Sequence, residues 1–291
     1  MSVTIRDLMT DENDLFGGQF GGDSWNPWRV LLAGFEGLEL TDDELALWQQ
    51  LTGRENAPNS PFYELWLVVG RRGGKSQQAA LLAIREACFR DHASKLSLGE
   101  VATVLVISAD RKQARTVFRY VSGLLHSNPM LERLIVREDK ESIELSNRIV
   151  IEIGTASFRS TRGYTLAAVI ADEIAFWRSD ESANPDREII NALRPALATL
   201  DGKLIALSSP YAKRGELWDH YRRDYGKDSP ILVAQAPSKL MNPTLPDRII
   251  EQAKERDLAA ALAEYEAQFR NDIASFVDVN LLNQLTRSEP I

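Results

Sequence analysis

The chain has 291 residues, 44% of them hydrophobic and 26% charged, enough to bury a substantial core in one or two domains. Its 42 acidic and 34 basic residues leave a formal charge of −8, which excludes a polycation that coats nucleic acid with its whole surface. A single cysteine, Cys88 in the apolar stretch AALLAIREACF, excludes an intramolecular disulfide, and the scattered His92, His126 and His220 form no zinc-binding pattern.

The first residues, MSVTIRDLMTDENDLF, are acidic and lack an apolar h-region, so no signal peptide is expected. No apolar run approaches the roughly 18 residues that span a bilayer, and a soluble, intracellular protein is the expectation. Residues 1–25 carry little periodic pattern, and GGQFGGDSWNPW reads as part of a mobile lead-in over 1–27. TDDELALWQQL then predicts a helix with Thr41 as N-cap and Glu44 three residues on, the spacing of a capping box. A polar loop, TGRENAPNSP, delivers the chain to the apolar strand ELWLVVG.

That strand runs into Gly70-Arg71-Arg72-Gly73-Gly74-Lys75-Ser76 and then into the helical stretch KSQQAALLAIREACFRDHA. The general phosphate-loop pattern is a glycine, four residues, then Gly-Lys-Ser/Thr. Here the second half fits, but the first glycine, Gly70, sits one place late, where Val69 stands in its expected position. The chemistry still works. Gly70, Gly73 and Gly74 let backbone N–H groups converge on phosphate oxygens at a helix N-terminus, Lys75 can reach the β and γ phosphates, and Ser76 can offer a hydroxyl to Mg²⁺. Arg71 and Arg72 lie outside the minimal pattern; Arg71 is the better placed to face phosphate.

Further strands follow at TVLVISA and at SIELS and IVIEIG, which alternate like a hairpin around Asn147–Arg148, then at AAVIADE, KLIALSSP and PILVAQA. Short apolar strands alternating with helices predict an α/β fold, a mostly parallel sheet flanked by helices, with ligand sites at the carboxyl ends of the strands. AAVIADE ends in Asp172-Glu173. An acid at the end of a buried strand is costly without a partner, and Mg²⁺ is that partner in phosphate-loop enzymes, so Asp172 reads as the metal-holding acid. Glu173 is placed to polarise the attacking water. The next strand ends in Ser208-Ser209-Pro210, hydroxyls suited to sensing the γ phosphate and passing the change onward. Arg159 and Arg162, in SFRSTRGYT, precede the acid pair and offer an arginine to a neighbouring subunit's ATP. The segment 109–115, at a strand end and rich in Arg and Lys, is the stretch expected to face DNA under the resemblance that follows. The tail from 246 to 270 predicts a helical run with Ile249, Ile250, Ala253, Leu258, Leu262, Tyr265 and Phe269 on one face.

GRRGGKS, VLVISADRKQAR, TASFRSTRGYTLAAVIADEIAFWRSDESANPD, LSSPYAKRG and AEYEAQFRNDIASFV together resemble the ATPase part of the large terminase subunit of tailed bacteriophages and prophages. The resemblance implies a P-loop NTPase fold of the ASCE/RecA-like kind over 28–236, with a small helical C-terminal linker subdomain over 237–291. It also implies ATP and Mg²⁺ as cofactors and a motor that pushes double-stranded DNA through a portal protein into a procapsid. Such a motor works with a small terminase subunit, as a homo-oligomeric, pentameric ring in the bacterial host cytoplasm. Lys75, Asp172 and Glu173 take the catalytic roles it implies, Ser208, Ser209 and Pro210 the coupling motif, and Arg71 the arginine four residues before the lysine. Arg162 is the match to a trans-acting arginine, and Gln49 or Gln50 to an adenine-contacting glutamine. The chain stops at Ile291, where the linker of a full-length member hands over to a nuclease domain, so DNA cutting is not expected of it. A helicase-like reading shares the two nucleotide motifs but asks for a second RecA-like domain.

Overall fold

A computed structural model of the chain describes residues 3–156, 163–177 and 185–271. Eight strands make one sheet: β1 Glu64–Val69, β2 Ala102–Ser108, β3 Ile135–Glu138, β4 Ser142–Leu145, β5 Ile149–Thr155, β6 Leu166–Asp172, β7 Lys203–Ser208 and β8 Ile231–Ala236. Their order is β3-β4-β5-β2-β6-β7-β1-β8, parallel from β5 across to β8, with β3 and β4 antiparallel at one edge. The β4–β5 pairing is the hairpin expected around Asn147–Arg148; β3 extends it by one strand. The helices are α1 Ile5–Thr10, α2 Gly17–Phe20, α3 Asn26–Phe35, α4 Asp42–Thr52, α5 Lys75–Cys88, α6 Arg111–Ser127, α7 Pro129–Glu132, α8 Pro185–Leu197, α9 Glu216–Asp224, α10 Ser238–Met241, α11 Asp247–Arg256 and α12 Leu258–Glu266.

The central strands are buried on both faces, which is why they read as unbroken apolar runs. Their pleat splits them between two cores. Leu65, Leu67 and Val69 of β1 join Val104, Val106, Ile170 and Ile205 on the face covered by α3, α5 and α6. Trp66 and Val68 join Leu105, Val169 and Leu204 on the opposite face, under α8 and α9.

Two expectations change. The segment before α3 is packed rather than a mobile lead-in: Thr4 and Asp7 form a capping box on α1, and Ile5, Leu8 and Met9 are fully buried. Arg29 ties the α2 turn down by donating to the carbonyls of Phe20, Gly21 and Gly22. A six-residue helix is too short to show a period, so its three apolar contacts stay hidden in the sequence. The C-terminal run is two helices, not one. Asp257 takes an extended conformation, with φ −155°, and caps α12 by accepting from the Ala260 N–H. The expected apolar face is broken there: Ile250 and Phe269 are buried, while Leu258 is 58% exposed.

The topology fixes the site. β7 lies between β1 and β6, with Val68 opposite Ser208 and Asp172 opposite Leu207. Three strand ends, and the loops that leave them, therefore meet at one edge of the sheet.

Candidate active site

Residues 70–76 leave the end of β1 and enter α5. Gly70 N–H still continues the ladder to the Ala236 carbonyl at 3.1 Å, and the Gly73 N–H closes a turn onto the Gly70 carbonyl at 3.2 Å. Arg72 sits in that turn at φ 63°, where a side chain is strained, and Gly74 follows at φ 89° as the N-cap of α5. Among the described residues, the N–H groups of Arg72, Gly74, Lys75 and Ser76 have no protein partner. Free N–H groups at a helix start, rimmed by glycine, make an anion cradle.

Lys75 is buried, and its Nζ donates to the carbonyls of Val69 at 2.9 Å and Gly70 at 3.2 Å and to Ser209 Oγ at 3.0 Å. Burial pushes its ammonium downward, with Glu173 and Asp172 opposing the shift. Asp172 ends β6 almost fully buried; its Oδ2 accepts from Ser108 Oγ at 3.4 Å and its Oδ1 has no protein partner. Burial, then the neighbouring Glu173, raises its carboxyl from 3.8 to about 7. Glu173 turns out of the strand at φ 49°, a left-handed backbone that a glutamate holds only against steric cost. Its Oε2 accepts from Ser208 Oγ at 3.0 Å and from the Ser209 N–H at 3.3 Å, while Oε1 stands 3.9 Å from Lys75 Nζ. One lysine, two acids and three serines thus gather beneath the loop.

Above it opens a cavity of about 430 Å³, a size that suits a small-molecule ligand. Arg71, Arg72, Gly74, Lys75, Ser76 and Glu173 line it, so the structure brings the loop and Glu173 to one space, with Asp172 buried behind the wall. Its other walls had no motif to announce them: Ser24 and Trp25 from the N-terminal segment, Tyr120 from α6, and Met241, Asn242 and Thr244 after β8. The only advance signal is the density of tryptophan in the sequence SWNPW. Arg71 also pairs with Glu264 of α12 at 2.9 Å, both side chains well exposed.

Gln49 and Gln50 do not reach this cavity. α4 buries Trp48 and Leu51, leaving both glutamines exposed, and Gln49 donates to the Glu55 carbonyl at 2.7 Å. The end of α4 is tied to the opposite edge of the sheet, where the Gly226 N–H reaches the Thr52 carbonyl ahead of β8. Arg159 and Arg162 lie outside the described residues. In the expected DNA-facing segment Asp110 caps α6, and Arg111 and Arg115 both reach Glu141 at 3.1 Å.

The donors present fit a divalent cation. Asp172 offers a buried unpaired oxygen and Ser76 a hydroxyl on the cavity wall. Among the described residues no group of three or more His, Cys, Asp or Glu stands close enough together to hold a metal ion by itself.

No protein-family model matches the chain, and no curated protein matches it. Solved structures do. The Thermus phage P74-26 large terminase ATPase domain aligns with a TM-score of 0.57 at 16% identity, over 82% of this chain and 97% of that one. The HK97 bacteriophage large terminase aligns with a TM-score of 0.56 at 16% identity, over 88% of this chain and 58% of its own length. The large terminase of a thermophilic bacteriophage in complex with ADP aligns with a TM-score of 0.51 at 12% identity, over 72% of this chain and 49% of that one. The fold is that of the large terminase ATPase domains. In this P-loop NTPase fold, residues 70–76, Asp172-Glu173 and Ser208-Ser209 all lie at the carboxyl ends of the parallel strands.

Proposed function

We propose that the chain hydrolyses ATP with Mg²⁺ and is the motor part of a large terminase, driving double-stranded DNA into a procapsid. The observation that carries this reading is the buried, unpaired Asp172 Oδ1 beside Glu173 and Lys75, under a loop with free N–H groups. A structural neighbour solved with ADP supports nucleotide as the ligand.

The roles follow from position. The N–H groups of Arg72, Gly74, Lys75 and Ser76 receive phosphate oxygens, and Lys75 exchanges its carbonyl partners for the β and γ phosphates. Asp172 and Ser76 would hold Mg²⁺, which supplies charge neutralisation at the β and γ phosphates. Glu173 takes a proton from the water that attacks the γ phosphorus, as ADP leaves on the opposite side. Because Ser208 and the Ser209 N–H grip the same carboxylate, movement of Glu173 after hydrolysis pulls on the end of β7 and on the segment that follows it. Arg71 braces phosphate from the loop rim, and Arg162 serves a neighbouring subunit's ATP in an assembled ring. The partners of this reading are double-stranded DNA, the portal, the small terminase subunit and further copies of the chain, in the host cytoplasm.

Glu173→Ala tests it. The variant should bind ADP like the wild type and lose at least a hundredfold in ATP turnover, the usual worth of a general base. Turnover at the wild-type rate would refute the assignment.

A further inference from the structure

A phosphate cradle needs its N–H groups turned inward, and in a planar trans peptide the N–H points opposite to the carbonyl of the same unit. Whatever holds a loop carbonyl outward therefore aims the next N–H inward. Three successive carbonyls of the loop each have a side-chain donor from outside it. Ser238 Oγ, on α10, donates to the Arg71 carbonyl at 2.6 Å. Asn242 Nδ2 donates to the Arg72 carbonyl at 2.9 Å. Trp28 Nε1, on α3, donates to the Gly73 carbonyl at 2.8 Å.

We propose that Trp28, Ser238 and Asn242 form a collar of positioning residues that sets the orientation of the phosphate loop. Ser238 fixes the 71–72 peptide and so aims the Arg72 N–H; Trp28 fixes the 73–74 peptide and aims the Gly74 N–H. Asn242 locks the peptide between them, whose N–H closes the turn onto Gly70. Trp28 and Ser238 are fully buried, and the Trp28 bond lies wholly out of water. Trp28 also hugs the glycine it serves: a side chain at Gly74 would come within 3.1 Å of its Nε1. The strain at Arg72 supplies the reason for a collar, since a turn holding a side chain at φ 63° relaxes unless it is held. Helix α3 and the segment after β8 thereby become parts of the site.

This inference rests on the nucleotide reading above, and the experiment separates the two. Trp28→Phe keeps the ring and removes the donor, Ser238→Ala removes one oxygen, and Asn242→Ala acts at a partly exposed position. Binding of ADP and of pyrophosphate is measured by calorimetry on the full chain, with ATP turnover in parallel. Each variant should bind both ligands about three- to tenfold more weakly, the worth of one hydrogen bond. The loss should be equal for ADP and pyrophosphate because the defect lies in the cradle. KM for ATP rises by a similar factor while kcat stays within about twofold. Wild-type affinity for pyrophosphate in all three variants, even with a lowered melting temperature, would overturn the collar alone. Failure of the wild-type chain to bind ADP would overturn the nucleotide reading and the collar with it.

Discussion

Replacing Ser208 by alanine tests whether the end of β7 positions the Glu173 carboxylate for chemistry. The Ser208 hydroxyl is fully buried, 3.0 Å from Glu173 Oε2 and 2.8 Å from the Ser209 carbonyl, and its one proton serves one of them at a time. A hydrogen bond to a charged group is worth about 1.5–3 kcal/mol. Two facts place this one at the lower end: the carbonyl competes for the proton, and the Ser209 N–H at 3.3 Å still holds the same oxygen in the variant. About 1.5 kcal/mol of lost positioning corresponds to roughly a tenfold fall in rate. The phosphate loop keeps its own bonds, so KM for ATP should stay within about twofold. Steady-state phosphate release gives both constants. A kcat within twofold of wild type would refute the positioning argument, and a raised KM at constant kcat would move Ser208 from chemistry to binding.

Lys203 offers a pH test outside the site. It is 1% exposed at the start of β7, with its ammonium on the Phe62 carbonyl and 4.3 Å from the Tyr63 ring centre, and burial pushes it from 10.5 down to about 8. The folded state therefore releases its proton before the unfolded state does, so stability rises with pH between about 8 and 10.5 and the full penalty stands below 8. The difference in unfolding free energy between wild type and Lys203→Met should be flat from roughly pH 6 to 8, then rise by on the order of 3 kcal/mol by pH 10.5; denaturant titrations showing no such rise would remove the buried-cation account. Glu264→Gln takes the rival anion from Arg71, an exposed pair worth at most about 1 kcal/mol to the fold. ADP should then bind a few-fold tighter, and equal affinity in calorimetry would take Arg71 out of phosphate binding.

What the sequence declares here depends on distance along the chain. The parallel sheet was legible because burial on both faces leaves unbroken apolar runs, and the acid pair because a carboxylate after six buried apolar residues has to be explained. The phosphate loop carries its own glycines. What closes the cavity has no local grammar. Trp28 meets Gly73 across 45 residues, and Asn242 meets Arg72 across 170, through single side chains with no spacing to betray them. Gln49 and Gln50 failed for the converse reason. Being near the loop in sequence put them at the wrong end of β1, since a strand carries the chain across the whole sheet before the loop begins.

The displaced glycine follows from the same geometry. Val69 is the last residue of β1, paired with Ala236 and fully buried in the core, so the place where the general pattern has glycine is still strand here. Gly70 then does the work of close approach: a Cβ there would stand 2.3 Å from Ser238 Oγ and 2.8 Å from the Tyr265 carbonyl oxygen. If that is why the glycine moved, restoring the general pattern should harm the protein. Val69→Gly deletes a buried side chain and adds backbone entropy, about 3 kcal/mol together, with no gain in ADP affinity. Gly70→Ala forces backbone atoms of α10 and α12 away from the loop, so it should weaken ADP binding by tenfold or more. Tighter ADP binding by Val69→Gly, or unaltered binding by Gly70→Ala, would mean that the position of the glycine is incidental and that the loop gets its shape elsewhere.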